Sequence, residues 1–360
     1  MPDRPTYPPH LSRSAGEVGP RSGPGEGPLL ELRNASKAFP AGVLGRERKV
    51  ALEPFSFTID PSNPSITAVV GESGSGKTTL ARLLLGLVEP TEGAVLYRGK
   101  DLRTLTASDR RDFRHDVQAI FQDPYEVYNP FYRVDHVLTT PVRRFRLARS
   151  RAEARHLIEE ALRLTGLRPE EILGRFPHQL SGGQRQRIMV ARALLLRPKL
   201  IIADEPVSMV DASLRATILS SLRKLHDEFG ISILYITHDL ATAWQVADTI
   251  LVLYRAAVAE AGNVERVVKD PRHPYTQLLI SSIPRVGTTR NWPAEQPPAI
   301  RDAHVNGGCK FVDRCPIAIS RCIQSAPPLL PVEPDRSAAC FRVGPTHVAK
   351  ELAPASLRRA

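Results

Sequence analysis

The chain has 360 residues, of which 42% are hydrophobic, and carries a formal net charge of +11. The hydrophobic fraction suffices for one large domain with an extension or for two medium domains and excludes global disorder, while the charge suits an anionic partner or solubility alone. There is no apolar run near the roughly 20 residues that span a bilayer and no secretory leader, so we expect a cytosolic chain that meets a membrane only through other polypeptides.

Strands and helices are predicted to alternate after a lead-in. Residues 1–28 are rich in proline, glycine and serine and lack periodicity, which predicts a disordered segment. Residues 66–70 (ITAVV) form an uninterrupted apolar run, typical of a strand buried on both faces, and a glycine-rich turn leads from it into a helix at 77–87. This alternation predicts an α/β fold with a mostly parallel sheet and flanking helices. The further predicted strands are 29–35, 55–59, 117–121, 200–203, 231–236 and 249–253, and a further helix is predicted at 211–229.

Two stretches interrupt this alternation. Residues 125–187 are predominantly helical and are rich in arginine between Arg143 and Arg155, which predicts a helical subdomain inserted in the α/β core. After residue 262 the chain becomes rich in proline and holds all of its cysteines. We therefore expect a core at 29–262, a C-terminal extension at 263–344 and a flexible tail at 345–360.

A phosphate-binding loop is predicted between the buried strand and the helix that follows it. Residues 71–78 (GESGSGKT) match the P-loop pattern G-x-x-x-x-G-K-[ST]. Its glycines let backbone N–H groups turn towards a phosphate, and the helix N-terminus adds partial positive charge. Lys77 is expected to bridge the β- and γ-phosphates of a nucleotide and Thr78 to ligate Mg²⁺. The predicted contacts with the nucleotide are Gly71, Ser73, Gly74, Ser75, Gly76, Lys77, Thr78 and Thr79.

Two acidic residues follow another buried strand. Asp204 and Glu205 end the run LIIADE, and the carboxyl end of a parallel strand lies at the same edge of the sheet as the P-loop. Asp204 is expected to hold Mg²⁺ through its water shell, and Glu205 to polarise the water that attacks the γ-phosphate. An exposed turn is the alternative reading of two adjacent carboxylates, which the P-loop makes the weaker one.

Residues 180–187 (LSGGQRQR) resemble the signature motif of the ABC family of ATPases. The resemblance implies an ABC-type core with a small antiparallel β part beside the parallel sheet. It also implies that the motif grips the γ-phosphate of ATP bound to an opposite subunit, so that two subunits face each other head to tail. The residues that carry this second site are Ser181, Gly182, Gly183 and Gln184.

Other positions match the family in order along the chain. Gln122 (IFQDP) resembles the Q-loop glutamine that senses Mg²⁺ and nucleotide, and His238 (ITHDL) resembles the switch histidine at the γ-phosphate. Asp211 matches the D-loop, although SMVD stands where SALD is common. Phe39 stands where an aromatic ring stacks on adenine, with a core phenylalanine as the alternative. The resemblance assigns catalysis to Glu205, His238 and Gln122, and magnesium to Thr78, Gln122 and Asp204.

The sequence also resembles the oligopeptide/dipeptide importer branch of the family. FQDPY with NP, and DPRHPYT at 270–276, carry this resemblance, and so does a C-terminal cysteine region. Departures from the family pattern are RAAV at 255–258, where a glycine turn is usual, and Tyr128, where leucine is commoner. In several members of that branch these cysteines hold an iron–sulfur cluster, and four thiolates are the right ligand set for a 4Fe-4S cluster, while zinc and free thiols are the alternatives. The four cysteines are Cys309, Cys315, Cys322 and Cys340.

The resemblance as a whole implies an ATP-hydrolysing subunit that energises import of oligopeptides or dipeptides, with nickel and oligosaccharides as alternative solutes. It implies ATP and Mg²⁺ as ligands, and a peripheral place on the cytoplasmic face of the inner membrane. The implied partners are a second ATPase subunit, identical or paralogous, two transmembrane permease subunits and an extracytoplasmic solute-binding protein. A soluble ABC ATPase acting on nucleic acid is the rival, and the sequence lacks the tandem cassettes and long inserts that such proteins carry.

Overall fold

A computed structural model of the chain describes residues 17–18, 27–41, 47–123, 128–208, 210, 212–283 and 307–343. Its strands are β1 (Glu17–Val18), β2 (Leu30–Ala41), β3 (Glu47–Ile59), β4 (Ile66–Val70), β5 (Glu92–Tyr97), β6 (Lys100–Asp101), β7 (Val117–Ile120), β8 (Leu200–Asp204), β9 (Ser232–Thr237), β10 (Thr249–Tyr254), β11 (Ala257–Asn263), β12 (Leu330–Glu333) and β13 (Arg336–Ala338). Its helices are α1 (Lys77–Leu84), α2 (Ala107–Asp116), α3 (Asp135–Phe145), α4 (Arg151–Leu164), α5 (Pro169–Ile172), α6 (Gly182–Leu194), α7 (Ala212–Phe229), α8 (Leu240–Val246), α9 (Val264–Lys269), α10 (Pro274–Ser281) and α11 (Ser320–Gln324). None of the helices described in these ranges is both long enough and apolar enough to cross a bilayer.

The central sheet is built around β4, the buried strand predicted from its apolar run. The strand order is β12-β13-β11-β10-β4-β9-β8-β7, and the five strands from β10 to β7 run parallel. Successive β4 side chains alternate between faces: Ile66 and Val70 belong to the core that includes α7 and α8, and Val69 to the core that includes α1. The predicted α/β fold is confirmed. The carboxyl ends of β4, β7, β8 and β9 meet at one edge of the sheet.

A second sheet, of order β1-β3-β2-β5-β6, covers the α1 side of the molecule. Its strands pair antiparallel except β1, which lies parallel to β3 with Glu17 opposite Ser56. The disorder predicted for residues 1–28 stays a prediction, and β1 and residues 27–28 are the parts of that segment that the structure describes. The rest of that lead-in up to residue 26, and the predicted tail, lie outside the described residues.

The helices α3 to α6 begin within residues 125–187, the stretch for which the sequence predicts a helical insertion. Leu138 of α3 and Ile188 of α6 lie in a core of their own. Val190 and Leu194, also on α6, pack instead into the core beneath the central sheet. Helix α6 therefore belongs to both cores, because its two faces are buried against different neighbours. It ends at Leu194, beyond the predicted end of the insertion at residue 187.

The C-terminal region continues the central sheet instead of standing apart from it. Strand β13 pairs with β11, placing Ala338 opposite Glu260, and Phe311 lies in the same core as the central strands. The Glu260 carboxylate and the Arg336 guanidinium form an ion pair at 2.9 Å, with side-chain exposures of 0% and 1%. The domain boundary after residue 262 stays a prediction, and the sheet crosses it.

Candidate nucleotide-binding site

The P-loop connects β4 to α1 and wraps around a buried lysine. Lys77 Nζ donates hydrogen bonds to the carbonyl oxygens of Gly71 (2.8 Å) and Glu72 (3.0 Å). Burial lowers the pKa of Lys77, and the nearby carboxylates of Glu205 and Asp204 act in the opposite direction. The ammonium is thus held at the centre of the loop, where a phosphate oxygen can replace either carbonyl as its partner.

Glycine is required at two points of this loop because the backbone passes close to neighbouring strands. Gly76 has φ 106°, and a Cβ there would lie 2.5 Å from the carbonyl oxygen of Ala51. A Cβ on Gly71 would lie 2.1 Å from the carbonyl oxygen of Leu253. No side chain can be accommodated at these distances, so the motif's glycines are dictated by packing as well as by conformation.

The P-loop contains polar groups that have no hydrogen-bond partner in the protein. The buried hydroxyl of Ser75 has no hydrogen-bond partner in the protein. Gly76, the N-cap residue of α1, provides no side-chain hydrogen bond to the first turn of the helix. Exposed backbone N–H groups at a helix N-terminus attract anions, and a buried hydroxyl without a partner is costly unless a ligand satisfies it. The cradle therefore suits a phosphate group.

Asp204 lies at the end of β8 beside the first turn of α1. It accepts a hydrogen bond from the Thr78 side chain, while its Oδ1 is buried without a partner. Burial raises the pKa of Asp204, and the bond from Thr78 opposes that rise. A carboxylate and a hydroxyl are hard oxygen ligands of the type that Mg²⁺ binds, so this pair fits the predicted metal.

Glu205 lies between the other two predicted catalytic residues. Its Oε1 is 3.0 Å from His238 Nδ1, and its Oε2 accepts a hydrogen bond from Gln122 Nε2 at 3.1 Å. The Glu205 side chain is 16% exposed. Its backbone leaves the strand with φ 45°, a left-handed conformation that is strained for a non-glycine residue and is held by a hydrogen bond from its N–H to Ile236 O. This backbone conformation places the carboxylate at the edge of the sheet where β7 and β9 end, in contact with Gln122 and His238.

The signature motif forms the exposed N-terminus of α6. Ser181 Oγ accepts from Gln184 N–H at 3.1 Å, and Gln184 Oε1 accepts from Ser181 N–H at 2.9 Å, which is a capping box. Gly183 is buried, and a Cβ there would lie 2.5 Å from Leu214 Cδ1, so that the end of the leucine side chain would have to move. The Ser181 side chain is thereby presented to solvent at a helix N-terminus together with Gly182.

Three further predicted nucleotide ligands are Phe39, Thr79 and Asp211. Phe39, on β2, is 37% exposed, and Lys37 Nζ lies 5.1 Å from the centre of its ring. This exposure excludes the alternative of a core phenylalanine, while stacking on adenine stays a prediction. Asp211 lies outside the described residues. Thr79 is partly buried on α1 next to Thr78.

Two contacts at the site were not predicted from the sequence. The Tyr128 hydroxyl donates to Arg185 O at 2.9 Å and so joins the Q-loop region to the signature helix. The hydroxyl of Tyr275, in the C-terminal region, accepts a hydrogen bond from the backbone N–H of Glu72 in the P-loop. The HPYT motif drew attention to Tyr275 only as a mark of the importer branch, because nothing in the sequence relates it to the P-loop.

The four cysteines of the C-terminal region line one cavity. Cys309 N–H donates to Cys322 O at 2.8 Å, and burial raises the pKa of the Cys315 thiol to about 11 and also raises the pKa values of Cys309 and Cys340. All four are free thiols. Among the described residues, no group of three or more Cys, His, Asp or Glu side chains has the geometry to hold a metal ion.

Comparison with known proteins yields two family matches. Residues 52–208 match the family described as ABC transporter, and residues 259–322 match the oligopeptide/dipeptide transporter C-terminal region. The oligopeptide transport ATP-binding protein OppF of Salmonella typhimurium is 40% identical over 77% of this chain and 84% of its own length. The di/tripeptide transport ATP-binding protein DppF of Pseudomonas aeruginosa is 39% identical over 82% of this chain and 91% of its own length.

A solved structure has the same fold. A dimeric ATP-binding cassette in a post-hydrolysis state, bound to ADP and Pi, superposes with a TM-score of 0.58 at 28% identity. It covers 66% of this chain, and 99% of that structure's chain is matched.

Proposed function

The chain belongs to the ABC transporter family, and from this premise we propose that its ATP hydrolysis drives the import of oligopeptides or dipeptides through a membrane transporter. It is an ABC-type ATPase in fold and family. The observation that carries the proposal is the placement of Glu205 between Gln122 and His238, at the sheet edge that also holds the P-loop. The peptide substrate is supported by the match at 259–322 and by the names of the relatives.

We assign ATP binding to the P-loop. Lys77 exchanges one of its two carbonyl partners for phosphate oxygens, and Ser75 Oγ gains a partner when phosphate enters. Phe39 is proposed to stack on adenine. The proposed phosphate contacts are Gly71, Ser73, Gly74, Ser75, Gly76, Lys77, Thr78 and Thr79.

Magnesium is assigned to Thr78, Asp204 and Gln122. The unpaired Oδ1 of Asp204 and its bond from Thr78 support this assignment. Bound there, the ion would neutralise charge on the β- and γ-phosphates. The ionised form of Asp204, which burial disfavours, would be favoured by a cation.

We assign the general base to Glu205. The side chains of Gln122 and His238 each contact one of its two oxygens and so fix the orientation of the carboxylate, so that a water between Glu205 and the γ-phosphate can be oriented for in-line attack. Glu205 then accepts the proton that the water loses. His238 contacts Glu205 through Nδ1 and its side chain is 58% exposed, so we assign the contact with the γ-phosphate to its other ring nitrogen, Nε2.

Closure of a dimer would complete the site. The exposed Ser181 with Gly182, Gly183 and Gln184 is proposed to bind the γ-phosphate held by an opposite subunit, with Asp211 at the same interface. The dimeric arrangement of the related cassette supports this. Hydrolysis removes the bridging phosphate and so favours reopening, which would convert binding energy into movement of the permease.

A 4Fe-4S cluster is our proposal for the cysteine cavity, with zinc as the alternative. Four thiols on one cavity form the right donor set, and burial raises the pKa values of three of them, Cys309, Cys315 and Cys340. A cluster would cross-link the segments that carry the cysteines. Iron and acid-labile sulfide near four of each per chain, after purification without oxygen, are expected, and stoichiometric zinc would contradict the cluster.

The proposed assembly places this subunit at the cytoplasmic face of the inner membrane. Its partners would be a second ATPase subunit, two permease subunits and an extracytoplasmic solute-binding protein. The ATPase domain would span 29–262, with the helical subdomain at about 125–187 facing the permease, and the C-terminal extension would span 263–344.

Purification of the complex from native membranes and its reconstitution into vesicles would test the function. We expect the permease and the solute-binding protein to co-purify. ATP enclosed in the vesicles, on the side of the membrane where this subunit lies, should drive peptide uptake. The same complex with Glu205→Gln is the control and should take up none. Uptake of nickel or an oligosaccharide without peptide, or salt-sensitive RNA binding without any permease, would contradict the peptide importer.

A further inference from the structure

One peptide group of the P-loop is held from both sides. The N–H of Glu72 donates to Tyr275 Oη at 3.0 Å, and the carbonyl of Gly71, in the same peptide group, accepts from Lys77 Nζ at 2.8 Å. Because a peptide group is planar, fixing the direction of its N–H also fixes the direction of its C=O. Tyr275 therefore orients the carbonyl that holds the phosphate-binding lysine.

Tyr275 is itself rigidly placed. It is 0% exposed, and its ring lies 4.4 Å from the ring centre of Tyr254 and 5.6 Å from that of Phe311. Its backbone N–H donates to His273 Nδ1 at 3.0 Å. Burial raises the pKa of Tyr275 to about 12, so the phenol stays neutral at physiological pH. A neutral, immobile hydroxyl is suited to hold a backbone N–H at a fixed place.

Arg314 holds the side chain of the same P-loop residue. Its Nη1 lies 3.1 Å and 3.3 Å from the two carboxylate oxygens of Glu72, and its guanidinium packs over the ring of Phe311 at 5.6 Å. Both partners are partly exposed, at 41% and 45%. Stacking restricts the arginine side chain, so that the pair loses less conformational freedom than an ordinary surface pair.

The C-terminal region also supports the middle of the P-loop, through the β10–β11 turn. Ala256 N–H donates to Ser75 O at 3.0 Å. The turn has φ values of 41° at Arg255 and 70° at Ala256, which are unfavourable without glycine. Arg255 is anchored by an ion pair with Asp313 at 2.9 Å, so the C-terminal region holds this turn against the loop.

We propose that Tyr275 and Arg314, together termed the P-loop brace, are positioning residues that hold the empty P-loop in its phosphate-binding shape. This inference rests on the proposed function, because it assumes that the P-loop binds ATP. Without the brace, the loop would populate other conformations, and ATP would have to select the competent one. The apparent dissociation constant would then rise by the inverse of the competent fraction.

A split between KM and kcat distinguishes positioning from general damage. Once ATP is bound, its phosphates hold the loop, so loss of the brace should raise KM and leave kcat unchanged. A net hydrogen bond or paired charge changes an equilibrium by roughly three- to tenfold. We therefore expect Tyr275→Phe, which deletes one hydroxyl from a buried ring, to weaken binding of the fluorescent analogue mant-ATP about three- to tenfold.

Arg314 allows a matched comparison in the full-length chain. Lys310→Gln removes another ion pair between the same region and the core, with Glu53 at 2.7 Å, but does not touch the P-loop. Arg314→Gln should weaken mant-ATP binding by about threefold or more, Arg314→Lys should recover much of that loss, and Lys310→Gln should bind as wild type does. In a Glu72→Gln background, Arg314→Gln should have little further effect.

The outcomes separate this inference from the proposed function. Wild-type protein with no affinity for mant-ATP would overturn both. Wild-type affinity with unchanged binding by Tyr275→Phe and Arg314→Gln would overturn the brace alone. Equal loss of kcat in the Tyr275 and Arg314 variants and in the Lys310 control, with lowered thermal midpoints in all, would also overturn it, because the region would then act only through stability.

Discussion

The buried ion pair between Glu260 and Arg336 allows a quantitative test of how the C-terminal region is joined to the core. Glu260 Oε1 accepts from Arg336 Nε and Nη2, each at 2.9 Å, and from Arg272 N–H at 3.0 Å. Its Oε2 accepts from His273 N–H at 2.9 Å. Arg336 also donates to Asp270 O. Replacing Arg336 by Met leaves a fully buried carboxylate with two backbone donors and without its ion-pair partner, so that Arg272, which interacts with Glu260 electrostatically, is a cation that remains.

The magnitude follows from the burial of both groups. Removing one partner of a buried ion pair costs about 3–5 kcal/mol, and a loss of that size lowers the thermal midpoint of a domain of this size by on the order of 10 °C. In Glu260→Gln with Arg336→Met, neither of the two buried charges remains, and the amide oxygen can still accept from one of the two backbone donors. We expect that double variant to lose only about 1–3 kcal/mol, less than Arg336→Met alone.

Urea unfolding at equilibrium, followed by circular dichroism, measures these differences from the shift in midpoint. The matched control is Arg155→Met, which breaks an exposed pair with Glu159 at 2.8 Å, where the arginine is 67% exposed. Such an exposed pair contributes little to stability, so this variant should unfold close to the wild-type midpoint. A loss below about 1 kcal/mol in Arg336→Met, or a double variant less stable than the single one, would refute the reasoning.

Three further predictions concern the site. Glu205→Gln keeps the shape of the side chain and should lower kcat about 10²- to 10⁴-fold while mant-ATP affinity stays at the wild-type level. Ser181→Ala and Ser150→Ala each remove a serine N-cap and should each cost about 1 kcal/mol in urea unfolding, but only Ser181→Ala should lower ATP-dependent dimer formation in size-exclusion chromatography. Gly76→Ala should abolish binding in calorimetric titration with Mg-ATP, whereas Gly99→Ala, at φ 78° with no atom within 4 Å of the new Cβ, should leave it intact.

Each of these has an outcome that contradicts it. Turnover by Glu205→Gln at the wild-type rate would remove Glu205 from its role as base. Equal loss of dimer in both serine variants would reduce Ser181 to a helix cap. Tight Mg-ATP binding by Gly76→Ala would show that the loop can move away from Ala51.

Motifs that depend on adjacent residues were readable from the sequence. The apolar run at β4, the spacing of the P-loop and the acidic end of β8 each depend on a few neighbouring side chains and on backbone sterics, and each lies in the structure at the predicted place. The predicted ends of helices and strands were less accurate than their predicted positions. Helix α1 stops at Leu84 and not at residue 87, because Gly86 takes φ 64° and closes the helix.

The sequence by itself determined the α/β class and the family, and it predicted the phosphate-binding, acidic and signature residues. Only the tertiary structure decided that Gln122 reaches Glu205 across 83 residues of sequence, and Tyr275 reaches Glu72 across 203. It also decided that β13 extends the central sheet, and that α6 serves two cores. Local patterns record which face of an element is buried. They do not record which distant element covers that face, because this depends on the packing of the whole chain.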